Sequence, residues 1–82
     1  MNANERKAEH EMNDFQRRED RELFVQNLGE LLRQTREKID RAWLDDRDIV
    51  HVVYENGSQR LANVQWDSYM GIIRDVLKAV NI

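Results

Sequence analysis

Asn56-Gly57 stands between two short strand-like runs, Ile49-Val50-His51-Val52-Val53-Tyr54 and Arg60-Leu61-Ala62-Asn63-Val64. A tight reversal that needs positive φ at its centre favours this dipeptide, so the middle of the chain is committed to an antiparallel β-hairpin. With Asn56 and Gly57 as a two-residue loop, Val52 faces Leu61 and Ile49 faces Val64. A three-residue loop with Gly57 as a bulge shifts that register. Two strands alone are barely stable in water, so the rest of the chain must cover at least one face of the hairpin.

The flanking segments read as helices. After the second strand run, Asp67 or Ser68 caps a helix in which Tyr69, Ile72, Ile73, Val76, Leu77 and Val80 form one apolar stripe. Before the first run, Val25, Leu28, Leu32, Thr35, Ile39 and Ala42 alternate at spacings of three and four. That is the seam of a coiled coil, and it predicts a helix over 23–43 with these six residues at a dimer interface. Phe24, Leu31 and Trp43 widen the stripe. Leu44-Asp45-Asp46-Arg47-Asp48 then breaks the helix, because aspartates favour turns. The predicted fold class is α+β in the order α-β-β-α. Residues 23–82 form the single domain, and residues 1–22 a charged, frayed or solvent-exposed helical extension.

At 82 residues the chain is one domain with a small core. Such chains need a disulfide, a metal or self-association, and the absence of cysteine removes disulfides and thiolate metal sites. A homo-oligomer is the expectation that remains. Charged residues are 35% of the chain and the formal net charge is −3, which favours solubility over bulk nucleic-acid binding. Acids and bases crowd the N-terminal half; residues 49–82 hold only Glu55, Asp67, Asp75, Arg60, Arg74 and Lys78. No apolar run is long enough to span a membrane, and the N-terminus lacks the apolar stretch of a signal peptide. The expected location is the cytoplasm.

No residue pattern asks for catalysis or a cofactor. His10 with Asp14 at i, i+4 falls short of the three or four ligands of a stable metal site. His51 lies in a strand, Ser58 in a turn and Ser68 at a helix cap, and none stands in a nucleophile or triad context. Asp45, Asp46 and Asp48 lack the spacing of a calcium loop. Arg17, Arg18 and Arg21 are interleaved with Glu19, Asp20 and Glu22, as on a salt-bridged face rather than a phosphate track. Gly29 and Gly71 lie inside helices, where close approach of a neighbour is the simplest reason for glycine. The candidate partner-binding residues are therefore Asp45, Asp46 and Asp48 as an acidic surface, with Trp43, Trp66 and Tyr69 as aromatic anchors.

The runs Val52-Val53-Tyr54-Glu55-Asn56-Gly57, Ala62-Asn63-Val64-Gln65-Trp66-Asp67-Ser68 and Ile72-Ile73-Arg74-Asp75-Val76 resemble short accessory proteins of Gram-positive phages and mobile elements. The resemblance covers residues 50–80 and carries no catalytic residue. It implies an accessory gene product of a bacterial host rather than an enzyme of central metabolism, such as an inhibitor of host defence, a small regulator or a packaging factor. The expected function is a non-enzymatic protein-binding module, most concretely an inhibitor of a host defence nuclease such as a CRISPR effector. The alternatives are a small DNA-binding regulator and a sponge for a nucleotide signal.

Overall fold

Helix α1 runs from Asp14 to Arg33 in the computed structural model, which describes residues 14–81, with side chains from residue 17 onward. The part of the N-terminal extension before Asp14, His10 included, lies outside the described residues. Helix α1 crosses the expected boundary at residues 22 and 23 without a break. It ends well before residue 43. Thr35 Oγ1 donates to the Leu32 carbonyl at 2.6 Å, and the amides of Gln34 and Thr35 close tight turns onto Leu31 and Leu32. These bonds satisfy carbonyls that a helix end leaves open. Lys38 then takes a left-handed conformation, φ 59°, and turns the chain into a strand.

That strand, β1 (Ile39–Leu44), is the main correction to the sequence reading. It pairs antiparallel with β2 (Ile49–Tyr54), which pairs antiparallel with β3 (Gln59–Asn63), giving a three-stranded sheet in the order β1-β2-β3. Helix α2 (Tyr69–Ala79) closes the chain. The architecture is α+β, with the element order α-β-β-β-α in place of α-β-β-α. The coiled-coil helix over 23–43 does not form.

A β-bulge explains the misreading. Ile39 pairs with Tyr54 but Arg41 with Val53, so Asp40 is an extra residue on β1. The bulge shifts the strand's phase, and Ile39 and Ala42, three apart, both face the core. A spacing of three is a helical signature that here belongs to a strand.

Both hairpins turn in the same way. In the second, the Tyr54 amide donates to Ser58 O and the Gly57 amide to Tyr54 O, and Gly57 has φ 87°. The loop is therefore Glu55-Asn56-Gly57, and His51 faces Leu61 while Ile49 faces Asn63. This is the three-residue alternative, not the pairing of Val52 with Leu61. In the first, the Asp45 amide donates to Ile49 O and the Asp48 amide to Asp45 O, with Asp48 at φ 61°. Asp48 occupies the place that Gly57 takes in the second loop.

The core lies between one face of the sheet and both helices. Val25, Leu28 and Leu32 of α1 meet Ile39, Ala42 and Leu44 of β1, Val50 and Val52 of β2, Ala62 and Val64 around β3, and Ile72, Val76 and Val80 of the C-terminal helix. Five of the six residues expected at a dimer seam are thus buried within one chain, and Thr35, the sixth, caps α1. Residues closed off in their own core are not available to a second copy. Gly29 marks where α1 sits tightest on the sheet, because a Cβ there would lie 2.5 Å from the Ala42 amide nitrogen. Ser68 caps α2 by accepting a hydrogen bond from the Gly71 amide at 3.1 Å.

Candidate functional site

The six residues singled out as partner contacts gather at one end of the sheet, in two groups. The first group is the turn between β1 and β2 together with the sheet face that no helix covers. Asp45 Oδ1 accepts from the amides of Arg47 at 2.8 Å and Ile49 at 3.0 Å, which shapes the turn. Its Oδ2 lies 2.8 Å from His51 Nε2. The hydrogen bond to His51, followed by that from Ile49, lowers the Asp45 carboxyl below its ordinary value. Trp43 stacks on His51 with ring centroids 4.1 Å apart and planes 10° from parallel. His51 Nδ1 lies 3.3 Å from Gln59 Oε1. Both nitrogens of the ring face oxygen atoms, so His51 organises its own neighbours.

This geometry alters the acidic-surface expectation. Asp46 is exposed, whereas Asp45 and Asp48 are partly buried, and Asp45 has both oxygens engaged. Asp45 thus shapes the turn, Asp46 points to solvent, and Asp48 lines the cavity beside Trp66.

The second group surrounds the loop between β3 and α2. Trp66 exposes 91% of its surface at φ 68°. Tyr69 is half exposed and rests against Phe24 of α1, with ring centroids 4.6 Å apart, and Met70 beside it is 74% exposed. Two shallow cavities open here. One of about 300 Å³ is lined by Arg17, Arg21, Asp48, Trp66 and Asp67, and one of about 220 Å³ by Arg17, Arg21, Asp67 and Tyr69. Asp48, Trp66 and Tyr69 are thus brought around the same two arginines, while Trp43 stays on the sheet face.

Arg18 and Arg21 are residues whose role the sequence concealed. Arg21 donates to the carbonyls of Asp67 at 2.6 Å and Val64 at 2.9 Å, and Arg18 to that of Asp45 at 3.1 Å. They fasten α1 to both groups of loop residues. Interleaved acids suggested a salt-bridged face, and Arg18 does pair with Glu22 at 3.5 Å. Spacing along a helix gives no sign of the distant carbonyls.

A carboxyl pair stands behind the second group. Asp67 Oδ2 is buried without a hydrogen-bond partner among the described residues. Interaction with the neighbouring Asp75 carboxyl, reinforced by burial, raises the Asp67 carboxyl above its ordinary value. Asp75 is held below its own, first by Arg74, whose Nε lies 3.0 Å from Asp75 Oδ1, and then by the bond to Asp67. Among the described residues no group of three or more His, Cys, Asp or Glu side chains is placed to hold a metal ion, and no helix is long and apolar enough to cross a membrane. No protein-family model matches the chain, and neither curated proteins nor solved structures give a significant match.

Proposed function

We propose that the chain is a non-enzymatic protein-binding module whose principal anchor is Trp66. One observation carries this reading. A bulky side chain at positive φ costs about 1–2 kcal/mol that glycine would avoid, and here it holds out an indole that contributes almost nothing to the core. Tryptophan is enriched among the residues that dominate binding energy at interfaces, and the exposed Met70 and half-exposed Tyr69 extend the apolar surface beside it.

The partner class in this proposal is a host defence nuclease, as the resemblance to phage accessory proteins implies. Trp66→Gly separates binding from folding, because glycine suits the backbone at that position. The variant is expected to melt at or above the wild-type temperature and to lose inhibition of a purified CRISPR effector in a DNA-cleavage assay. Wild-type protein that leaves cleavage unchanged would remove the nuclease. A stable complex with another protein that survives Trp66→Gly would remove the anchor.

A second reading, capture of a small nucleotide signal, is favoured by the cavities that combine Arg17 and Arg21 with Trp66 and Tyr69. Aromatic faces and guanidinium groups suit a base and a phosphate. Calorimetric titration with cyclic nucleotides tests it; heat that disappears in Trp66→Gly favours the sponge. Direct DNA binding draws less support, because acids and bases interleave along α1 and the formal net charge is −3.

A further inference from the structure

The open face of the sheet carries three rows of side chains across the strands. Strand pairing aligns Arg41, Val53 and Gln59 in the first row, Trp43, His51 and Leu61 in the second, and Ile49 and Asn63 in the third, which Asp45 of the first turn extends through the bond of its amide to the Ile49 carbonyl. Both helices pack on the other face, through the core. Leu61 is 58% exposed, and Trp43 is also exposed, whereas Ile49, His51 and Val53 are half-buried.

From this arrangement we infer that the face pairs with a second copy of itself about a two-fold axis lying along the middle row. Such an axis exchanges the outer rows. Arg41 then meets Asp45 of the other copy, Val53 meets Ile49, and Gln59 meets Asn63, so charge faces opposite charge, aliphatic faces aliphatic and amide faces amide. The middle row meets itself. A surface that complements its own rotated image is what a two-fold interface requires. Arg41 is exposed and makes no ion pair with any described residue. Asp45 accepts three hydrogen bonds, and a carboxylate offers about four such positions, so one remains for an incoming guanidinium. Two sheets stacked about 10 Å apart accommodate the intervening side chains.

This interface differs from the helical seam expected from the sequence, and it is independent of Trp66. Three strands about 4.8 Å apart and rows spanning four residues at about 3.4 Å each give a sheet footprint of roughly 200 Å². That is small beside the ~800 Å² per partner of a standard complex, so the dimer is weak and depends on concentration.

Sedimentation velocity on the full chain, from micromolar to about 1 mM, tests the inference. The expected result is a monomer–dimer equilibrium in the wild type that is abolished by Leu61→Lys, with an unchanged circular dichroism spectrum. Arg41→Glu should weaken the dimer several-fold, and Trp66→Gly should leave it unchanged. Because the chain has no cysteine, Leu61→Cys supplies a single attachment point, and a short bismaleimide should link two copies through it. A wild type that stays monomeric throughout the range would overturn the inference. So would a dimer that persists in both Leu61→Lys and Arg41→Glu.

Discussion

Asp45 and Asp67 sit at the same end of the molecule and respond to pH in opposite senses. Asp45 has a lowered carboxyl pKa in the folded state, from His51 first and then backbone amides. Its contribution is present above the ordinary carboxylate value and is lost as pH falls through the lowered one. Asp45→Asn should therefore melt below the wild type at neutral pH, with the gap closing in acid. Asp67 has a raised carboxyl pKa, from its interaction with Asp75 first and then from burial. Its contribution is present below the ordinary value and is lost as pH rises through the raised one. Asp67→Asn should melt above the wild type at neutral pH, since the amide can donate to Asp75 without charge, and the advantage should vanish in acid. Thermal melts of the two variants across the acid range check both signs. None of this was legible in the sequence, where Asp45 read as part of an acidic surface and Asp67 as a possible helix cap. The carboxyls' partners, His51 and Asp75, become neighbours only through the hairpin and the final helix.

Helix α2 and the hairpin of β2 and β3 were legible because local chemistry states them: a Ser68 cap before an unbroken apolar stripe, and Asn-Gly between strand formers. Strand β1 was not, for two physical reasons. The bulge at Asp40 gives the strand a helix-like spacing, and the first hairpin places Asp48 where glycine would announce a turn. Lys38, the left-handed joint between α1 and β1, is another turn without its usual residue. Lys38→Gly should stabilise the fold by up to about 1 kcal/mol, because aspects of strain outweigh the extra freedom of the unfolded chain; chemical denaturation measures it. Gly29 gives the opposite expectation. Alanine there favours an isolated helix by about 1 kcal/mol, but its Cβ would press on the Ala42 backbone. Gly29→Ala should lower stability by about 1–3 kcal/mol, the range for overpacking a tight contact.

Across the whole molecule, the apolar pattern located the core correctly while misplacing its purpose. Val25, Leu28, Leu32, Ile39 and Ala42 are interior residues of one chain, so the exposed apolar side chains that remain include Trp43 and Leu61 on the sheet's open face and Trp66 and Met70 around the last loop. The two proposals predict separable phenotypes: Trp66→Gly affects recognition and not self-association, and Leu61→Lys affects self-association and not recognition. The left-handed backbone at Trp66 also has an evolutionary consequence. In a library of variants selected only for resistance to protease, position 66 should drift to glycine or asparagine within a few rounds. Under selection for function in a host, tryptophan should be retained against that drift, and the difference between the two outcomes would measure how strongly recognition opposes folding at a single residue.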